Sequence, residues 1–278
     1  MNRAAYPKSL TLVGAGKMGA SLLSGWLARG LDPAAVTIVE PRPSPELAAL
    51  VAEQRLALNP PAGATKAPEI LVLAIKPQVL DSVAPELRGH VGSATLVISI
   101  LAGIPVARLA AATGASAIVR AMPNLPASIG RGATGAYAAA AVSAPQKALA
   151  DALLRASGLV EWVDREDLID AVTALSGSGP AYVFHLVECL AQAGIAAGLD
   201  EAVAKRLALA TVTGAGELLA TSGLEPARLR ENVTSPGGTT AAALAVLMPE
   251  PGVSHAGLGP LMRDAVAAAK RRAGELAG

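Results

Sequence analysis

The chain has 278 residues, 52% of them apolar and 16% charged, and its 23 Lys and Arg almost balance 22 Asp and Glu for a formal charge of +1. That length suits two domains, the apolar share excludes wholesale disorder, and a charge so near zero provides no broad basic surface for nucleic acid. A single cysteine, Cys189, excludes an internal disulfide, and no CxxC or HExxH pattern offers a metal site, so a cytoplasmic protein without metal is expected.

In chain order, Ser9 to Val13 reads as a buried strand, followed by a glycine turn and an amphipathic helix over Ala20 to Ala28. Further strands are expected at Val36–Val39, Ile70–Ile75, Leu96–Ile100 and Ala117–Ala121, with helical stretches between them. Apolar strands of this kind suit a parallel sheet covered on both faces, and the intervening helices supply the crossovers. The longest stretch without charge, Gly89 to Ala107, contains His90, Gly92, Ser93, Ser99, Gly103 and Pro105, and Leu10 to Val13 is too short for a signal-peptide core. A soluble protein with no membrane partner is therefore expected.

Beyond about Asp164 the strand signal fades. Asp167–Leu175, Ala181–Ala197, Asp200–Ala220 and Gly257–Ala277 read as helices, with Asp200 as an N-cap. Breakers cluster at Ser176–Pro180 and Ser235–Gly238. The expected division is an α/β domain over residues 1–164 and an all-α domain over 165–278. Helices so rich in alanine and poor in charge are expected to bury a face against a second copy, giving a homodimer.

Gly14-Ala15-Gly16-Lys17-Met18-Gly19 is a G-x-G-x-x-G run that follows a strand and opens a helix. The first glycine permits the tight turn, the second lets a pyrophosphate approach the backbone, and the third lets helix pack on strand. Phosphates then meet free N–H groups at the helix N-terminus. Glu40 ends the second strand 21 residues beyond Gly19, where a ribose-binding acid is expected. Glu40 alone favours NAD, whereas Arg42, helped by Ser44, suits the 2′-phosphate of NADP. We expect NADPH to be preferred, with NADH as the alternative.

Reduction of a carbonyl needs a positioned proton donor. His90 falls in a loop, His185 on an apolar helix where a packed ring is expected, and His255 near a helix start. None has an acidic partner evident in the sequence, so a chemistry without a strong acid is indicated.

The motifs together resemble those of the pyrroline-5-carboxylate reductases. The resemblance rests on the glycine run with Met18, Ala74-Ile75-Lys76-Pro77, Arg120-Ala-Met122-Pro123-Asn124, Asp167-Leu-Ile-Asp-Ala-Val-Thr173, Ser176-Gly-Ser-Gly-Pro-Ala-Tyr182 and Asn232-Val-Thr-Ser235-Pro-Gly-Gly238-Thr239-Thr240, in order and over essentially the whole chain. It implies an N-terminal Rossmann-type parallel sheet and a C-terminal all-α dimerisation domain, with rings of dimers as a larger assembly. It also implies reduction of the small-molecule cyclic imine 1-pyrroline-5-carboxylate to L-proline, with hydride from NADPH or NADH. A protonated imine is already electrophilic and gives a neutral amine, so no oxyanion needs stabilising, and positioning suffices.

On the same resemblance, Ser235 binds the substrate carboxylate through its hydroxyl, and Gly238, Thr239 and Thr240 through their N–H groups, a nest opening a helix. Thr240 is the catalytic candidate, its hydroxyl beside the imine nitrogen. Ala74, Ile75, Lys76 and Pro77 run beside the adenosine and pyrophosphate. Ile100, Leu101, Ala102, Met122 and Pro123 pass the nicotinamide. Glu166, Thr173 and Asn232 face the cleft, and Asn59 is the expected adenine-ribose contact in a loop over 59–65 that does not align clearly. Leu125 departs from the family, which often has Thr after Met-Pro-Asn. Three rivals remain: an imine reductase for a related cyclic imine, a non-catalytic nucleotide binder, and a β-hydroxyacid dehydrogenase. The last expects a catalytic lysine where this chain has Val183.

Overall fold

In Leu10-Thr-Leu-Val13 every side chain is buried, which requires cover on both faces of the strand. The computed structural model, which describes residues 6–61, 66–249 and 257–277, provides that cover. Six strands, β1 (Leu10–Val13), β2 (Val36–Val39), β3 (Ala57–Leu58), β4 (Ile70–Leu73), β5 (Leu96–Ser99) and β6 (Ile118–Met122), run parallel in the order β3-β2-β1-β4-β5-β6. Successive side chains point to opposite faces. Leu10, Leu12, Ile70, Val72, Leu96 and Ile98 therefore join Leu22, Leu23 and Trp26 of α1 (Lys17–Ala28), Leu47 of α2 (Pro45–Gln54) and Leu153 of α5 (Ala144–Arg155). Val13, Leu71, Leu73, Val97 and Ile118 join Leu80 and Leu87 of α3 (Leu80–Gly89) and Leu109 of α4 (Val106–Thr113) on the other side. Trp26 also donates its indole N–H to the Leu153 carbonyl at 2.9 Å, tying α1 to α5.

The sheet continues beyond the expected strands. β7 (Gly132–Ala138) pairs antiparallel with β6, and β8 (Gly158–Trp162) parallel with β7. Gly132-Ala-Thr-Gly-Ala-Tyr-Ala138 has little β-propensity, but its small residues answer to packing. A Cβ at Gly135 would stand 2.5 Å from Val172 Cγ1, and one at Gly132 would stand 2.8 Å from the Ser157 carbonyl oxygen. The strand exists because α6 (Leu168–Val172) and β8 press close to it, a tertiary demand that periodicity does not register.

Contacts divide the chain into one unit of Met1–Ser178 with Ala269–Gly278 and a second of Gly179–Ala268. In the first, α6 runs into a π-helical turn over Thr173–Gly177, closed by the Ser178 N–H on the Thr173 carbonyl at 2.8 Å. The second unit holds α7 (Gly179–Ala196), α8 (Glu201–Thr221), α9 (Pro226–Asn232), α10 (Thr239–Leu247) and most of α11 (Leu258–Ala277). Asp200 caps α8 as expected, its Oδ1 accepting the Ala202 and Val203 N–H groups at 3.0 and 3.3 Å. Ala191, Ala204 and Ala208 are buried, and a Cβ at Gly194 would approach Ala204 Cβ to 3.2 Å, so α7 and α8 meet through small side chains. Larger apolar groups, among them Phe184, Leu190, Leu207 and Leu218, lie exposed in the single chain. Among the described residues no helix is long and apolar enough to cross a membrane.

Candidate functional site

The turn from β1 into α1 satisfies the three glycine demands in three different ways. Gly14 has φ +85°, and a Cβ there would lie 2.7 Å from the Ala74 carbonyl oxygen, so only glycine lets β1 turn against the end of β4. A Cβ at Gly19 would strike the Gly14 carbonyl oxygen at 2.4 Å, which sets how closely α1 packs on the loop. Gly16 is different: nothing lies within 4 Å of its missing Cβ. It is the N-cap of α1 and has no side-chain cap, so the first N–H groups of the helix stay available to an anion. Crowding at the first and third glycines with open space at the second fits a dinucleotide pyrophosphate.

A cavity of about 620 Å³ lies over the ends of β1, β2 and β4. It brings together Gly14, Ala15, Gly16, Glu40, Arg42, Ser44, Asn59, Ala74, Ile75 and Lys76 from the expected set. Val13, Val39 and Pro41 also line it, and the rest of its wall comes from the α3 segment, with Val79, Ser82, Val83, Glu86, Leu87 and His90. Of that wall only His90 stood out in the sequence, and then as a loop residue. The four-residue spacing of 79, 83 and 87 is the signal that could have found the rest.

Glu40 faces the glycine loop. Its Oε2 accepts the Ala15 N–H at 2.9 Å and its Oε1 the Arg42 N–H at 3.0 Å. The carboxylate expected on a ribose thus braces the two loops that border the cavity. Asn59, in the left-handed region with φ +48°, turns its amide onto the backbone of Glu40, accepting its N–H and donating to its carbonyl, both at 2.8 Å. Ser44 caps α2, its Oγ accepting the Leu47 N–H at 3.2 Å. Hydrogen bonding to the same hydroxyl holds the exposed Glu46 carboxyl below its usual range. Among the described residues the side chains of Arg42 and Lys76 make no hydrogen bond or ion pair and remain available for phosphate.

Other expected coenzyme residues lie outside this cavity. Lys17 and Met18 form the first turn of α1, and Pro77 opens a 3-10 turn after Lys76. Ile100, whose N–H donates to the Leu73 carbonyl at 3.0 Å, and exposed Ala102 follow β5. Leu101 belongs to the core beside Leu73, so only its backbone can meet a ligand. Met122 ends β6, Pro123 is buried, and a Cβ at Gly177 would lie 3.0 Å from Met122 Cε.

Glu166 is bound into the first unit. Its Oε1 accepts the Val106 N–H at 2.7 Å and pairs with Arg120 Nη1 at 3.2 Å, while Arg120 Nη2 reaches Asp170 Oδ1 at 3.4 Å. Arg120 is buried and its Nε has no partner among the described residues. Thr173 donates its hydroxyl to the Ile169 carbonyl at 2.8 Å. Asn124 spans two elements, accepting the Ala133 N–H at 2.9 Å and donating to the Ser176 carbonyl at 3.0 Å.

In the second unit, Asn232 ends α9 and is exposed. Ser235 to Gly238 form a turn in which the Gly238 N–H donates to the Ser235 carbonyl at 3.0 Å and Gly237 has φ +69°. The Gly238 N–H, expected on the substrate, therefore closes the turn instead. A Cβ at Gly238 would lie 2.4 Å from Ser235 Oγ, so the glycine lets that hydroxyl fold over the start of α10. Thr239 and Thr240 supply the first N–H groups of α10, exposed and half-buried respectively. His185 is exposed rather than packed, with Nδ1 3.0 Å from Glu188 Oε2 and Nε2 3.5 Å from Cys189 Sγ. His255 lies outside the described residues, as do 62–65 of the proline-rich loop.

A family model described as pyrroline-5-carboxylate reductase dimerisation matches residues 166–276, and one described as NADP oxidoreductase, coenzyme F420-dependent, matches residues 9–103. The curated pyrroline-5-carboxylate reductase of Pseudomonas aeruginosa is 40% identical over 270 residues, covering 96% of each chain. That of Synechocystis is 47% identical over 208 residues, 75% of each. The solved pyrroline-5-carboxylate reductase of Coxiella burnetii superposes with a TM-score of 0.87 at 35% identity, covering 98% of this chain and 99% of that one. The Plasmodium falciparum pyrroline carboxylate reductase, solved with NADP bound, gives 0.76 at 26% identity over 97% and 98%. Likeness of this extent, reaching from the glycine loop through the helical half, makes the chain a member of the pyrroline-5-carboxylate reductase family.

Proposed function

We propose that the chain reduces 1-pyrroline-5-carboxylate to L-proline with a nicotinamide coenzyme, NADPH in preference to NADH. Membership of the family across nearly the full chain, joined to an intact Ser235–Thr240 turn, carries this reading. The coenzyme supplies hydride to the imine carbon. The glycine loop and the first turn of α1 hold its pyrophosphate, and Lys76 meets the same charge. Arg42 pairs with the 2′-phosphate, which is the reason for preferring NADPH. The N–H groups of Thr239 and Thr240, with the Ser235 hydroxyl, take the substrate carboxylate. The Thr240 hydroxyl holds the imine nitrogen in the orientation for attack, and because the product is a neutral amine no further acid is required.

The functional division is 1–164 for coenzyme and 165–278 for substrate and dimerisation. A homodimer forms through the apolar face that carries Phe184, Leu190, Leu207 and Leu218, and rings of dimers are the larger assembly. The setting is the reducing cytoplasm, where Cys189 stays a thiol.

Purified protein supplied with racemic pyrroline-5-carboxylate and either reduced coenzyme tests this reading. Loss of nicotinamide absorbance together with appearance of proline is expected, faster with NADPH. Folded protein that binds coenzyme yet yields no proline with either would refute it.

A further inference from the structure

The α3 wall of the cavity carries two ridges. Val79 and Val83 stand four residues apart, and Ser82, Glu86 and His90 recur at the same interval, while Leu87 continues the first row into the core. Residues four apart stack on one face of a helix, so an apolar ridge lies beside a polar one. The apolar ridge suits the face of a planar heterocycle, and the polar ridge then meets its edge. On that edge Ser82 is already engaged, donating its hydroxyl to the Val79 carbonyl at 2.7 Å. The other carboxylate on the cavity, Glu40, is held by two N–H groups of the chain. Glu86 has no hydrogen-bond partner among the described residues and lines the cavity next to the apolar ridge.

We propose that Glu86 is a specificity-determining residue that accepts a hydrogen bond from the exocyclic amino group of the coenzyme's adenine. The proposal rests on the coenzyme reading given above. An ionised carboxylate can only accept. Adenine presents a donor at N6, whereas the 6-oxo purines present an acceptor oxygen at that position. A site built to accept from the amino group rejects the oxo base because two acceptors then face each other. Glu86 thereby reads the base, while the glycine loop and Arg42 read only phosphate.

The test titrates the full chain, by nicotinamide fluorescence, with NADPH and with its analogue in which hypoxanthine replaces adenine. Wild type is expected to bind NADPH about tenfold more tightly than the analogue. Glu86→Ala should bring the two within about twofold, through weaker binding of NADPH. Glu86→Gln should also narrow the gap, because its amide can accept from N6 or donate to O6. Equal binding of both coenzymes by wild type, or an unchanged preference in Glu86→Ala, would overturn the assignment and leave the coenzyme reading intact. Folded wild type that binds no NADPH would remove both.

Discussion

The side-chain amide of Asn59 holds the backbone of Glu40 from both sides, Oδ1 accepting its N–H and Nδ2 donating to its carbonyl, each at 2.8 Å. The amide acts as one more residue of neighbouring strand and carries the order of β2 a step further, to the rim of the cavity. Glu40 passes that order on to Ala15 and Arg42.

Asn59→Ala removes both bonds and leaves alanine at φ +48°, a backbone region that asparagine tolerates better. Net losses of about 1 kcal/mol per bond, about 2 kcal/mol for the two, predict roughly thirtyfold weaker binding of NADPH and NADH alike, with kcat little changed. Coenzyme titration checks this. A loss confined to one coenzyme would mean that Asn59 touches the ligand itself.

Glu40→Gln turns an NH2 group toward one of the two N–H donors that the carboxylate now satisfies. Both coenzymes should weaken several-fold, about 1 kcal/mol each. A ribose-reading acid predicts a different result, in which NADH weakens and NADPH tightens.

Arg42→Ala should weaken NADPH by about tenfold and leave NADH within about twofold, since only the former carries the extra phosphate. The KM for each coenzyme at saturating substrate is the measurement. An equal effect on both would take away the basis for preferring NADPH.

Thr240→Ala should lower turnover by about 10–100-fold with coenzyme affinity nearly intact, as for a hydrogen bond made in the transition state. Single-turnover kinetics beside a coenzyme titration separate the two quantities. Equal loss of coenzyme affinity would mark the turn as structural.

Arg120→Ala should destabilise the chain by about 3–5 kcal/mol, because it strands the carboxylates of Glu166 and Asp170 near the sheet. Urea denaturation measures this. Glu166→Gln keeps an acceptor for the Val106 N–H and should cost about 1–2 kcal/mol.

Five of the six parallel strands were legible, with ends within a residue or two, because strands covered on both faces are nearly continuous apolar runs; β3, two residues long and not buried, was not. The glycine loop was legible because each glycine answers to a different steric demand. β7 escaped notice because Gly132, Gly135 and Ala136 are chosen for what presses on them rather than for strand preference. The direction of a side chain was less legible than its position. Glu40 and Glu166 stand where expected in the chain, yet their carboxylates turn to backbone N–H groups supplied by Ala15 and Val106, 25 and 60 residues away in sequence. Spacing alone does not report such partners. The α3 wall was missed because its apolar ridge reads like any amphipathic helix.

The last residues, Ala269–Gly278, belong to the first unit. Ala273 is buried, and a Cβ on Gly103, which has φ +71°, would lie 3.2 Å from Leu276 Cβ. Topologically the second unit is an insertion between two segments of the first. The sheet unit therefore cannot finish folding as soon as its strands emerge, because the segment that covers Gly103 follows the whole inserted unit in sequence. Synthesis of the inserted helices, rather than completion of the sheet, must come before the first unit is complete.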